Sequence, residues 1–199
     1  MKSAQLLTLA PGATFFYRDR AATVLEHTNG GVFVQLNEGL GNFTFGSSND
    51  WAASRLRDYL NEEGLSMLTT RPEELLNTVT DLTAMDGTTS YGNSTDKVTL
   101  LTIDQCRKYR HIRPLPVDDW EWTSTPDSTP SGWDKDARYV ICLGTGGGVD
   151  GSFCTSAGCA RPAFTLASGL TVQVPDSCGL GDYTDEELLY EMLKRQQKS

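Results

Sequence analysis

The residues best equipped for chemistry lie between positions 118 and 136. Trp120, Trp122 and Trp133 stand among Asp118, Asp119, Glu121, Asp127, Asp134 and Asp136. Aromatic rings beside carboxylates can hold a sugar, a cationic group or calcium. The loop lacks EF-hand spacing, so no cofactor is expected, calcium included. Trp122 sits in the strand-like run WTSTP, which must bury one face, and is read as core. Trp133 lies among Ser, Gly and Asp and is the better candidate for an exposed ligand contact. A second polar stretch, residues 144–156, adds Asp150 and Ser152. The candidate ligand-binding set is therefore Asp127, Trp133, Asp134, Asp136, Asp150 and Ser152.

Other constellations lead away from catalysis. GTGGGVDG (144–151) lacks the GK[ST] ending of a phosphate loop and no helix follows it, so it is read as a flexible hairpin turn. Ser and Cys nucleophiles lack a base: His27 falls in a strand and His111 precedes a proline-rich turn. The five cysteines are odd in number and include no CxxC; Cys154 and Cys159 are separated by four residues. The histidines have no zinc-ligand spacing, so reduced thiols are expected, with Cys106 and Cys142 in the core. Arg161, beside Pro162, is expected to clamp backbone or to pair with a buried acid, Asp58 or Asp96 being candidates; Arg57 is read in the same way. No catalytic residue is assigned.

These residues need a scaffold, and the chain is long enough to supply one. Its 199 residues suffice for one large domain or a domain with an added arm. Apolar content of 38% with 19 glycines describes a domain of short strands and turns. The net charge of −9 opposes nonspecific nucleic-acid binding. The densest basic stretch, RKYRHIR (107–113), is read as a helix end, where cations oppose the macrodipole. No run reaches the ~18 apolar residues of a membrane span. Residues 4–10 are too short an apolar run for a signal peptide, so a cytoplasmic protein or a virion component is expected.

The N-terminal third reads as β: strands at 14–17, 22–27 and 32–36, with Asn29-Gly30 marking a hairpin. Residues 37–50 read as loop, with Phe43 and Phe45 tucked under the fold. A helix is expected over 51–64, capped by Asn49 or Asp50 and stopped by Gly64, with Trp51, Leu56, Tyr59 and Leu60 on one face. A second helical stretch is expected at 72–77, then a polar connection over 77–95 with one strand at most. DKVTLLT (96–102) reads as a buried strand, and 103–110 as a short helix with Thr102 or Asp104 near its cap. Strands follow at 138–144 and 170–174. The domain is expected to span 1–181. A helix over 182–199 then opens with a capping box, Thr184 with Glu187. Its stripe of Leu188, Leu189, Met192 and Leu193 is read first as intramolecular packing and second as a homo-oligomer contact.

Four motifs occur in order: WAASRLRDYLN (51–61), DKVTLLT (96–102), WTSTP (122–126) and GCARPAFTL (158–166). In this the chain resembles a domain family of uncharacterised function from Gram-positive bacteria and their phages. That family is associated with the C-type-lectin-like fold, together with the variable proteins of diversity-generating retroelements and formylglycine-generating enzymes. The resemblance covers residues 15–174. It departs where the family's usual arginine near the W-x-x-S strand appears here as threonine or is absent, and in the acidic C-terminal helix, an addition. It implies an α+β C-type-lectin-like fold of short twisted antiparallel strands with two helices. It also makes Trp51, Arg57, Trp122, Arg161 and Phe164 scaffold. The EPN or QPD triplet and the WND triplet of calcium-dependent sugar-binding lectins do not occur.

The leading expectation is a noncatalytic lectin-like module, phage or prophage encoded, that takes a protein or glycan ligand. A virion structural or assembly protein is the alternative, using the same surface and the C-terminal helix. An enzyme related to formylglycine-generating enzymes is third, and would need paired active-site cysteines such as Cys154 and Cys159. Neither nucleic acid nor membrane is an expected partner.

Overall fold

The computed structural model describes residues 1–115 and 119–175. The expected helix over 182–199, with Leu188, Leu189, Met192, Leu193 and the boundary before it, lies outside the described residues, as do Cys178 and Asp118.

The chain is a mixed α/β structure dominated by antiparallel strands. Alternation sets the first of them: β2 (Thr14–Tyr17) buries Phe15 and Tyr17 and turns its other residues outward. Strands β3 (Arg20–Thr28) and β4 (Gly31–Leu36) form the hairpin that Asn29-Gly30 predicts, with Gly30 at φ +94°. β4 and β14 (Ala163–Ala167) are buried along almost their whole length, because both faces are covered, and are apolar but for Gln35 and Thr165. They pair with Phe164 opposite Val34. β1 (Lys2–Gln5) and β15 (Thr171–Val174) pair at one end of this sheet. Short β6 (Leu75–Leu76) and β9 (Val98–Thr99) both flank β14 at the other.

A second, five-stranded sheet carries the loops of interest. Its members are β5 (Asn42–Thr44), β10 (Glu121–Pro126), β11 (Tyr139–Leu143), β12 (Val149–Phe153) and β13 (Ala157–Cys159), in the order β12-β11-β10-β13-β5. β7 (Thr78–Asp81) and β8 (Asn93–Asp96) form a separate hairpin. Between the sheets lies the main core, with Phe15, Val34, Phe45, Trp51, Leu56, Trp122, Val140 and Phe164. A smaller core packs beneath α3 (Ile103–Lys108) and holds Leu25, Phe33, Ile103, Cys106, Ile141 and Leu143.

The helix expected over 51–64 is divided. Trp51–Ala53 is a 3-10 turn capped by Asp50, whose Oδ1 accepts from Ala52 N at 2.9 Å. Extended Ser54 then caps α1 (Arg55–Asn61), its hydroxyl accepting from Arg57 N at 3.0 Å. Gly64 does not stop the helix. It is buried inside α2 (Glu63–Leu68), where an added Cβ would sit 3.0 Å from Tyr59 O. The helical stretch expected at 72–77 is one 3-10 turn, Pro72–Glu74, followed by β6. The run at 96–102 is not one strand: Asp96 ends β8, Val98–Thr99 form β9, and Thr102 caps α3. The 77–95 connection holds a hairpin rather than one strand. Thr102 does cap α3, in a full capping box with Gln105.

The motif residues meet inside this scaffold. Asp96 is buried and accepts from Trp51 Nε1 at 3.1 Å, Ser94 Oγ at 2.5 Å and Arg57 Nε at 2.7 Å. Asn61 bonds both N–H groups of Lys97 and Val98 and the Val98 carbonyl. The helix of the first motif is thus tied to the strand of the second. Arg161 is buried, as its residue type predicts, but its acid is Glu121, with Nε 2.5 Å from Oε2, and not Asp58 or Asp96. Arg113 pairs with the other oxygen of Glu121. Asp96 belongs to Arg57, and Asp58 is an exposed neighbour of Arg57 at 3.7 Å.

Candidate functional site

Trp133, exposed at the surface, stands on a loop built from a buried amide outward. Asn49, expected to cap a helix, is fully buried and holds a loop instead. Its Nδ2 donates to Ser128 O and Tyr139 O, each at 2.8 Å. Its Oδ1 accepts from Tyr91 Oη at 2.8 Å, and its N–H donates to Ala137 O at 2.8 Å. Both ends of the 128–137 loop are therefore fastened to one side chain, which satisfies the Ser128 carbonyl and adds a second donor to the Tyr139 carbonyl, which also accepts from Asp127 N.

A second loop, residues 83–92, braces the first. Met85 N and Asp86 N donate to the carbonyls of Pro126 and Asp127. Asp86 then gathers donors: Ser128 Oγ at 2.6 Å, Thr88 Oγ1 at 2.6 Å, Thr88 N at 2.9 Å and Trp133 N at 3.1 Å. The Ser128 and Thr88 hydroxyls, ahead of the backbone donors, hold its carboxyl well below the usual carboxylate range. The Ser90 and Ser131 hydroxyls join the loops at their outer edge. Gly132 has to be glycine here, since a Cβ would collide with Ser128 Oγ and Asp86 Oδ2.

Trp133 projects from this frame with 91% of its surface exposed. Asp134 is exposed beside it; Lys135 takes a left-handed backbone at φ +57°, and Asp136 N donates to Asp134 Oδ1 at 2.9 Å. Asp136 is clamped by Arg138, which lowers its pKa. Asp127 behaves oppositely. Burial, and then the charges of Asp134, Asp86 and Asp136, raise its pKa. These four carboxylates thus share one electrostatic neighbourhood. Among the described residues, no group of three or more His, Cys, Asp or Glu is arranged to hold a metal ion. What the arrangement offers chemically is an exposed indole face rimmed by carboxylate and hydroxyl acceptors.

The structure brings Asp127, Trp133, Asp134 and Asp136 together but leaves Asp150 and Ser152 apart. Those two lie on edge strand β12, and the loop's hydrogen bonds do not reach them; Asp150 bonds the next N–H, of Gly151. Residues 144–148 form the hairpin turn expected, with Gly147 at φ +75°. Cys106, Cys142 and Cys154 are free thiols, all buried, so Cys154 and Cys159 form no disulfide. Burial pushes Cys106 up to about 12 and Cys142 up to about 11, which leaves both as thiols at neutral pH. Asn49 and Asp86 escaped the sequence reading. The only signal was Asn49's place before a tryptophan, which is equally that of a helix cap.

Comparison of the chain with protein-family models, curated proteins and solved structures finds no match. No helix among the described residues is long and apolar enough to cross a membrane.

Proposed function

We propose that the chain is a noncatalytic ligand-binding module that uses the Trp133 loop to recognise a glycan. One observation carries the reading. A nearly fully exposed tryptophan stands on a loop that a buried asparagine fastens at both ends. An exposed indole gains nothing for the fold, and fixing its loop lowers the ordering entropy of binding. Ser90, Ser131 and Asp134, all exposed, flank the indole and can bond the hydroxyls of a sugar ring stacked on it. The C-type-lectin-like fold is part of this proposal. Its support is the pairing of the four motifs into one scaffold of antiparallel strands and short helices, with polar loops left outside it.

A glycan array tests the reading, with the Trp133→Ala variant as control. Binding to defined glycans that the variant loses supports it. A protein that binds no glycan and forms a discrete oligomer by light scattering overturns it in favour of a virion assembly role.

A further inference from the structure

A groove of about 330 Å³ opens between α3 and the β11–β12 hairpin, away from the Trp133 loop. That volume falls at the lower end of the roughly 300–1,000 Å³ range of small-molecule sites. Its apolar lining is Ile103, Leu115, Leu143 and Val149. Leu115 and Val149 remain 45% and 48% exposed. Gly147 closes one wall; a Cβ there would lie 3.2 Å from Leu115 Cδ2. Around this lining stand Arg107, Arg110 and Arg113.

The charge count in and beneath the groove does not balance. Arg113 is 5% exposed and donates through Nε to Gln35 and through Nη2 to Glu121. Arg161 is 3% exposed, leans on the same Glu121, and its Nη2 has no hydrogen-bond partner. Two buried guanidiniums thus share one carboxylate, leaving a positive charge in excess among the described residues. Arg113 has a third nitrogen, Nη1, with no hydrogen bond to the described protein, and the residue lines the groove. At the mouth, Arg110 has no side-chain partner among the described residues, while Arg107 pairs with Asp104. A buried excess charge is costly unless a counter-ion comes close. In a chain of net charge −9, a cationic pocket with an apolar floor is selective for an anion with an apolar body.

We propose that this groove binds a small amphipathic carboxylate, its oxygens on Arg113 and Arg110 and its hydrocarbon on Leu115, Leu143 and Val149. Arg110, with no side-chain partner among the described residues, can offer a planar carboxylate two parallel N–H donors, which a rounder anion does not match as well, and Arg113 adds Nη1. The same chemistry is presented by a free short-chain acid or by the C-terminus of a peptide with an apolar last residue. The site is distinct from the Trp133 loop and does not rest on the glycan reading.

Titration calorimetry on the full chain tests it. Hexanoate is the probe, hexanol supplies the chain without the charge, and sulfate supplies charge without the chain. Hexanoate is expected to bind at least ~10-fold more tightly than either. Arg110→Ala and Leu115→Asp change exposed side chains and preserve the fold; each weakens hexanoate ~5-fold or more. Trp133→Ala leaves it unchanged. Acetyl-Ala-Leu as free acid and as amide separates the two sources. A free acid tighter than hexanoate assigns peptide C-termini, the reverse order assigns free acids, and both require the amide to bind weakly. Hexanol or sulfate matching hexanoate, an amide matching its acid, or no response to Arg110→Ala and Leu115→Asp overturns the proposal.

Discussion

The buried Arg113–Glu121–Arg161 cluster and the exposed Trp133 loop are both rich in charge, yet they are built by opposite means. In the cluster, charges meet charges out of water, and Glu121 joins three parts of the chain. In the loop, carboxylates are held mainly by N–H and hydroxyl donors, and the aromatic group is left bare. The first arrangement locks a scaffold. The second holds a surface open for something else. Residue type alone does not separate the two; burial and the kind of partner do.

The largest effect should come from breaking the cluster. Glu121→Ala leaves two guanidiniums buried without a carboxylate and is expected to destabilise the fold by about 3–5 kcal/mol, read from urea unfolding. A loss within ~0.5 kcal/mol would show that water already reaches these groups.

Asn49→Ala attacks the loop at its anchor. It orphans Tyr91 Oη and the Ser128 carbonyl and takes from the Tyr139 carbonyl one of its two donors, leaving Asp127 N. About 1–3 kcal/mol should be lost, together with protection of the 128–137 loop from protease. An unchanged cleavage rate would detach the loop's order from Asn49.

Acid should separate the loop's own carboxylates. Asp86 has a lowered pKa when folded, so its stabilisation is present above the ordinary carboxylate value of about 3.9 and is lost as pH falls below it. Asp127 has a raised pKa, so its contribution has the other sign: it favours the fold at low pH and fades as pH rises through the folded value. Asp86→Asn should therefore flatten the loss of stability below about pH 4, and Asp127→Asn should steepen it slightly. Identical pH profiles for both variants would contradict this assignment.

The gentlest probe is quenching by iodide. Trp51 and Trp122 are buried, Trp120 is half-buried, and Trp133 is exposed. Trp133→Phe should remove most of the quenchable emission while moving the unfolding midpoint by no more than about 0.5 kcal/mol in stability. Quenching undiminished by the substitution would make half-buried Trp120, and not Trp133, the accessible indole.

The contrast also explains how far the sequence could be read. β2, β3 and β4 were legible because alternation and Asn29-Gly30 are local signals. Trp133's exposure was legible from its polar neighbours, and Trp122's burial from its strand. The β7–β8 hairpin was hidden because its residues are polar. Its Thr80 hydroxyl bonds Thr99 at 2.9 Å and Thr78 bonds Thr165 at 2.9 Å, links that leave no apolar period. The division of the 51–64 helix was hidden because Ser54 reads as an ordinary helical position until its side chain caps Arg57. Arg161's burial was legible from type, but its partner depends on β10 lying beside β13, a pairing across 38 residues that no local pattern encodes. Asp150 and Ser152 were grouped with the loop by polarity, although a different strand carries them.

The most direct test of the account is the glycan array read for the intact protein and for Trp133→Ala, each with its urea unfolding curve. The account predicts that the intact protein binds defined glycans and that the variant loses this binding with its stability unchanged. Binding retained by the variant, or absent from the intact protein, would contradict it.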